Sequence, residues 1–218
     1  MKNIYLPLAF VALSYLASGQ KQTVKPHFNK ALAKELDSIF IVDQSGRDKL
    51  QQLAINGIKD TASVIALAMK MNVTDMSNQE RVNAILDKYG WLGPDVVGDS
   101  GTNALFFVIQ HSGLTNQEKY LPMVREAVKN GKAKASELAL LEDRVNIGEN
   151  KKQIYGSQIV SNSTGGMEVA PIEDPDNVDK RRAQMGLDSM SDYCKNFNLI
   201  WDLERYKKGL ALLTQDKK

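Results

Sequence analysis

The stretch TNALFFVIQH, residues 102–111, decides the fold. At about 100° per residue, the apolar run from Ala104 to Ile109 covers nearly the whole circumference of a helix. A helix that is apolar all round is buried, so the stretch predicts a buried helix. Gln110 and His111 end it, and a buried polar group without a partner costs roughly 1–3 kcal/mol. We therefore expect both side chains to have partners or to lie beside a cavity.

Apolar residues at helical spacing predict further helices on both sides of this stretch. SNQE at 77–80 and TNQE at 115–118 are capping-box patterns, which predict that helices start there. The segment from Gly90 to Gly101 is predicted to be a loop that contains Trp91. The first predicted helix is opened by Pro26 and ends near 43–47. The others cover 48–71, 77–89, 102–111, 115 to about 130, 136–147, 178–185 and 189–197.

A change of pattern near residue 153 predicts a small β-element. Residues 154–160 (IYGSQIV) are β-rich, a turn-prone segment follows at 161–166, and a second candidate strand covers 167–172. This pattern predicts a hairpin between about Gln153 and Ile172. The fold class is therefore mainly α: a single-domain helical bundle over 20–200 with one small β-hairpin near the C-terminal third. Residues 201–218 are predicted to form a charged tail or helix.

The first 19 residues have the pattern of a secretory signal peptide. Lys2 is followed by an apolar run from Ile4 to Leu16 and then by the small residues 17–19. We expect cleavage near Gly19 and a periplasmic or secreted location. The apolar run is shorter than the roughly 20 residues that span a bilayer, so no stable membrane span is expected after cleavage.

Composition excludes several classes of function. The formal net charge of the 218 residues is +2, which gives no electrostatic reason to expect a nucleic-acid partner. Two histidines cannot build a multi-His metal site, and one cysteine cannot form an internal disulfide. Common phosphate-loop, dinucleotide, esterase and metalloprotease motifs are missing from the sequence. We therefore predict no cofactor and no metal, and we interpret Cys194 as a core residue.

Two charged positions have more than one interpretation. Helical rotation puts Arg144 inside an apolar stripe, with Asp143 at its edge, so Arg144 either pairs with a carboxylate on another helix or binds an anion. His111 is either a satisfied helix-end residue, a general base or ligand-binding residue, or a metal ligand. Gln110, His111, Asp143 and Arg144 are predicted to share one neighbourhood, with Tyr155 or Gln158 at its rim.

Two functions from different classes fit these residues. The first is a pocket enzyme with hydrolase-like or small-molecule-binding activity, in which His111 is the acid–base, Asp143 orients it and Arg144 holds an anion. The alternative is a non-catalytic exported binding or scaffold domain whose polar cluster is structural. The sequence leaves open whether the chain is an enzyme, and the partner is an unknown small molecule or protein.

Several short motifs also occur in a characteristic order. They are Asp43-Gln44 with Arg47, Gly90-Trp91 with Gly98, Gln110-His111, Asp143-Arg144, Tyr155-Gly156-Ser157-Gln158, Pro171-Ile172, Asp179, Arg181-Arg182 and Gly186-Leu187. This order resembles a bacterial family known as a domain of unknown function, number 6624, over about Leu36 to Tyr193. Leu92 stands where proline is expected, and Ser157 where threonine is more usual.

The resemblance implies no established reaction, so it assigns no catalytic role. It does imply that the polar residues at the motif positions share a functional pocket. The candidate binding residues are Asp43, Gln44, Arg47, Trp91, Gln110, Tyr155, Gln158, Arg181 and Arg182.

Overall fold

The structure, a computed structural model, describes residues 27–55, 60–162, 166–209 and 213–214. This part of the chain is mainly helical, which confirms the predicted fold class. Its helices are α1 (Lys30–Ile55), α2 (Thr61–Tyr89), α3 (Pro94–His111), α4 (Leu114–Lys129), α5 (Ala135–Gly148), α6 (Val178–Gln184), α7 (Met190–Lys195) and α8 (Leu203–Lys207). Its strands are β1 (Ile159–Ser161), β2 (Met167–Val169), β3 (Leu199–Ile200) and β4 (Leu213–Thr214).

The apolar helix α3 lies in the main hydrophobic core, as its sequence predicts. Leu105 and Ile109 have no exposed surface, and Phe106 is also buried. Helix α1 packs along α3 and contributes the fully buried Leu36 and Ile39. The polar end of α3 therefore faces the neighbouring helices.

The predicted hairpin is confirmed as the antiparallel pair of β1 and β2, in which Val160 pairs with Glu168. Its strands are shorter than predicted, because 154–158 precedes β1 and β2 ends at Val169. A second antiparallel pair, β3 with β4, was not expected from the sequence. A smaller hydrophobic cluster that includes Met190 and Cys194 lies beside the hairpin. Cys194 is buried in it, and burial raises the pKa of its thiol to about 11. A neutral buried thiol agrees with its interpretation as a core residue.

Several predicted helix boundaries are wrong. The predicted helix 48–71 is not continuous, because α1 ends at Ile55 and α2 begins at Thr61. Helix α1 continues through residues 43–47, where an end was expected, and α2 continues through Ser77, where a start was expected. Gly46 is explained by the close approach of α2, because a Cβ atom there would lie 2.6 Å from Cγ of Met71. Gly46 therefore lies where two long helices pack closely, and it does not end a helix.

The segment between α2 and α3 is shorter than predicted. Helix α3 already begins at Pro94, and the chain bends at Gly98, where φ is +74°. Trp91 precedes the helix and is buried, and its indole N–H donates to the carbonyl oxygen of Lys132 at 3.1 Å. Thr115 lies inside α4, whose N-cap is Gly113, so the second capping-box pattern does not cap a helix either.

In the part of the chain that the structure describes, no helix is both long and apolar enough to cross a membrane. The predicted signal peptide lies outside the described residues.

Candidate functional site

An aspartate–histidine pair joins the middle of α1 to the end of α3. Nδ1 of His111 lies 3.1 Å from Oδ2 and 3.4 Å from Oδ1 of Asp43. Asp43 is buried, with 1% of its surface exposed, whereas 19% of the His111 side chain is exposed. The imidazole also stacks on Phe107, with 5.8 Å between ring centroids. Because Asp43 engages Nδ1, Nε2 is the nitrogen left for another partner.

Arg47 lies one turn after Asp43 on α1 and joins the pair to α2. Its Nη1 donates to the backbone oxygen of Asp43 at 2.8 Å and to Oδ1 of the same residue at 3.2 Å. Nη1 and Nη2 also donate to the two carboxylate oxygens of Asp75, at 3.1 and 2.9 Å. The Nε2 amide of Gln44 donates to Oδ2 of Asp43 at 2.7 Å. The buried carboxylate thus has three side-chain donors.

These donors decide the ionisation of Asp43. Burial alone would raise the pKa of its carboxyl, because the charged form is disfavoured away from water. The hydrogen bond and charge of His111, with contributions from Arg47 and Gln44, outweigh burial and hold the pKa below its ordinary value. Asp43 is therefore an anion at neutral pH that fixes the orientation of the imidazole.

A small cavity of about 240 Å³ lies between α1 and α2, on the Arg47 side of this pair. Its wall includes Asp43, Arg47 and Asp75, together with the side chains of Lys70 and Met71. His111 is not among the lining residues, so this cavity is separate from the exposed edge of the imidazole.

Asp143 has a different role from the predicted one. Its carboxylate has no exposed surface and accepts the backbone N–H groups of Ile154 at 2.6 Å, Tyr155 at 2.9 Å and Ser157 at 2.9 Å. Burial raises the pKa of Asp143, and these N–H donors oppose that effect. The expectation that Asp143 orients His111 is corrected, because Asp43 occupies that position and Asp143 holds the turn at 154–157.

The carbonyl groups of the same turn are held by side chains from the C-terminal part. Arg181 donates from Nε to the oxygen of Ile154 at 2.9 Å, and Arg182 donates from Nη1 to the oxygen of Tyr155 at 2.7 Å. The hydroxyl of Tyr193 donates to the oxygen of Ser157 at 2.6 Å. A carboxylate on the N–H side and cationic or phenolic donors on the C=O side therefore fix this turn.

Arg182 is one of the largest buried side chains of the protein, with 1% of its surface exposed. Its Nε donates to the carbonyl oxygen of Asp188, and its guanidinium lies 4.8 Å from the centroid of the Tyr193 ring. Gly156 also contributes to this packing: its φ is +71°, and a Cβ atom would lie 2.5 Å from Sδ of Met190. These contacts make Arg182 a structural residue of the turn.

Arg144 follows Asp143 on α5 and is half-buried. Its Nε is buried without a hydrogen-bond partner, and in the described residues no carboxylate pairs with its guanidinium. Burial lowers the pKa of Arg144; among nearby charges Tyr193 raises it and Arg47 lowers it. The guanidinium is thus within electrostatic range of Arg47, which itself contacts Asp43. The first interpretation of Arg144, an ion pair with a carboxylate on another helix, therefore finds no partner among the described residues.

The remaining candidate residues have separate contacts. Gln110 is buried, and its Oε1 has no donor among the described residues. The Tyr155 hydroxyl donates to Glu142 at 3.2 Å, and burial together with Glu142 raises the tyrosine pKa to about 12. Gln158 donates from Nε2 to Oγ of Ser157 at 3.0 Å. Trp91 donates to a backbone carbonyl in the main core, so the structure gives it a packing role.

Asp75 and Tyr193 were not predicted from the sequence as site residues. Asp75 lies one turn beyond Met71 on α2, and only the packing of α2 on α1 brings it to Arg47. Tyr193 lies next to the buried Cys194, and its sequence context gave no sign that its hydroxyl reaches Ser157. A buried arginine such as Arg182 requires acceptors or an aromatic face, which is the signal that could have identified Tyr193.

The chain was compared with known proteins. No curated protein and no solved structure matches it. Residues 30–205 match DUF6624, a family of unknown function, and this range contains the Asp43–His111 pair, Arg144 and the held turn. The protein belongs to the family of unknown function DUF6624.

Proposed function

We propose that the protein is an exported bacterial enzyme with hydrolase-like activity, in which His111 is the general acid–base and Asp43 orients it. The observation that carries this proposal is the contact of the buried Asp43 carboxylate with Nδ1 of the partly exposed His111, at 3.1 Å. A carboxylate that accepts the Nδ1 proton leaves the lone pair on Nε2, where it can accept a proton from water or a substrate hydroxyl.

The proposed step is general-base hydrolysis. As the oxygen of a water molecule bonds to the acyl or phosphoryl centre, Nε2 of His111 takes one proton from that water. The bond from the centre to the leaving-group oxygen breaks, and the leaving oxygen takes the proton back from Nε2. The charge of the transient imidazolium is balanced by Asp43, whose low pKa keeps it ionised at neutral pH.

The test is hydrolysis of 4-nitrophenyl acetate, 4-nitrophenyl phosphate and bis(4-nitrophenyl) phosphate by the purified protein. We expect turnover of at least one of them, a loss of about 100-fold or more in His111→Gln, and a smaller loss in Asp43→Asn. The matched control is His27→Gln, because His27 is exposed and bonds only to the neighbouring Phe28 oxygen. Equal rates in wild type and His111→Gln, or no turnover of any ester, contradict the proposal.

The second candidate is a non-catalytic binding or scaffold domain. It is favoured by Asp143 and Arg182, which are fully buried and are satisfied by backbone groups of the protein itself. On this hypothesis the polar residues stabilise the contact between α5 and the C-terminal part and touch no substrate. It predicts that His111→Gln changes stability and leaves every binding or turnover measurement unaltered.

A further inference from the structure

Arg144 differs from five other arginines of the described residues in its hydrogen bonding. Arg47, Arg81, Arg125, Arg181 and Arg182 all donate hydrogen bonds to carboxylates or carbonyl groups. Arg144 donates none to the described residues, and its Nε is buried. A buried donor without an acceptor is unfavourable, and more so for a charged group, so this arrangement opposes folding.

The surroundings of Arg144 fix where its guanidinium lies. The neighbouring Asp143 is bonded to three backbone N–H groups, which holds this turn of α5 in place. On the same face of α5, Leu141 and Val145 are buried in the core that also contains Ile109 of α3. Arg144 therefore emerges between packed side chains of α5, within electrostatic range of Arg47, which contacts the Asp43 carboxylate that pairs with His111.

The electrostatic neighbours of Arg144 strengthen the case for an anionic ligand. Arg47 lies close enough for the two positive charges to oppose each other, and the neutral hydroxyl of Tyr193 is the other neighbouring group. Like charges brought together are costly, and an anion beside them removes that cost. Asp43 and Asp75 already pair with Arg47, so they do not neutralise Arg144.

We propose that Arg144 binds an oxyanion group, a carboxylate or a phosphate, of the molecule that His111 acts on. The role of His111 in this inference rests on the proposed function. The binding of the anion by Arg144 does not depend on it. The half-buried guanidinium can offer its two Nη groups as paired donors, which match two oxygens of a carboxylate or phosphate. The substrate class that follows is a small ester that carries a second, unreacted anionic group.

The experiment is titration of the purified protein with sodium phosphate and, separately, sodium acetate, at pH 7 and constant ionic strength, with binding measured by calorimetry. We expect one of the two anions to bind wild type, and Arg144→Gln to weaken its affinity by about tenfold or more. Arg144→Lys keeps the charge without the paired donors and should lie between the two. Phosphate binding identifies a phosphorylated substrate, and acetate binding a carboxylic acid.

The matched control is Arg125→Gln, since Arg125 is exposed and paired with Glu142, and it should bind as wild type does. Equal affinity in wild type, Arg144→Gln and Arg144→Lys overturns the proposal, as does absence of binding of both anions to wild type. If the anion binds through Arg144 but no ester is hydrolysed, the proposed enzyme activity fails while the anion site stands.

Discussion

The Nδ1 atom of His111, at the end of α3, lies 3.1 Å from the buried Oδ2 of Asp43 on α1, 68 positions earlier in the chain. The contact connects the only described histidine within a helix to a carboxylate that is almost fully removed from water. A buried charge needs compensation, and Arg47, Gln44 and His111 together supply it.

The first prediction concerns acid stability. Because Asp43 has a lower pKa in the folded protein than in the unfolded chain, its contribution to the free energy of unfolding is complete above about pH 4. This contribution is lost as the pH falls through the lower folded pKa. His111→Gln removes the largest favourable cause, so the folded pKa of Asp43 should rise and the acid-dependent loss should shrink.

Carboxyl titration by NMR and urea unfolding between pH 2 and 7 measure both quantities. His27→Gln is the control and should titrate as wild type does, because His27 has no contact with Asp43. An unchanged Asp43 titration in His111→Gln would show that the pair does not control this carboxyl.

The second prediction concerns Asp143. In Asp143→Asn one acceptor oxygen is replaced by an N–H₂ group that faces backbone donors, so at least one of the N–H groups at 154–157 loses its acceptor. We expect a loss of about 1–3 kcal/mol in the free energy of unfolding and faster hydrogen exchange at Ser157. Asp99→Asn, at an exposed helical position, should change stability by less than about 0.5 kcal/mol.

The pH dependence of Asp143 has the opposite sign to that of Asp43. Its folded pKa is raised, so between the unfolded and folded pKa values the native state binds more protons and stability falls as the pH rises. Asp143→Asn should remove this slope. Persistence of the same slope in the variant would assign it to another group.

The third prediction concerns Arg182, which is buried and bonded to two carbonyl groups. Arg182→Met keeps most of the volume but leaves the carbonyls of Tyr155 and Asp188 without this donor. We expect a loss of about 3 kcal/mol or more in urea unfolding, because hydrogen bonds to charged groups contribute about 1.5–3 kcal/mol each. Arg125→Met removes only an exposed ion pair and should cost less than about 1 kcal/mol. Equal losses of unfolding free energy in the two variants would contradict a stabilising role of the buried Arg182 guanidinium.

The sequence was sufficient to predict the helical class and the hairpin, because each depends on local periodicity. The helix boundaries at 43–47 and at Ser77 were wrong because local signals there favour a break that packing overrides. Gly46 ordinarily weakens a helix, yet here its missing side chain lets Met71 approach. Ser77 lies in the middle of a 29-residue helix, where the capping pattern has no free N–H groups to satisfy.

In the candidate site, too, local patterns predicted the positions of some residues but not their partners. Helical rotation placed Arg144 on an apolar face, and the apolar run of α3 placed His111 at the edge of the core. The identity of their partners depends on how α1 packs on α3 and how residues 154–157 fold back on α5, which no local pattern encodes. Asp43 and Asp143 are both acids near the end of an apolar stripe, so composition alone could not tell which one reaches the histidine.

The fourth prediction concerns export, which depends only on the sequence of the first 19 residues. Protein recovered from the expressing bacterium should begin at or near Gln20, as determined by N-terminal sequencing. We expect this because the export machinery recognises an apolar run followed by small residues. Intact protein that begins with Met1 and stays in the cytoplasm would contradict the proposed location.

The last prediction separates a ligand-binding arginine from a structural one. If Arg144 paired with a buried carboxylate, its removal would cost about 3–5 kcal/mol, because the partner would be left charged and alone. Among the described residues Arg144 has no such partner, and its Nε is a buried donor without an acceptor. Arg144→Met replaces that group by an apolar side chain between Leu141 and Val145. We therefore expect the free energy of unfolding to stay within about 0.5 kcal/mol of wild type or to rise by about 1 kcal/mol.

Urea unfolding without added phosphate or acetate measures the difference, with Arg182→Met as the variant that must lose stability. A loss of 3 kcal/mol or more in Arg144→Met would show that the guanidinium stabilises the native protein, since a residue kept for binding costs stability in the absence of its ligand.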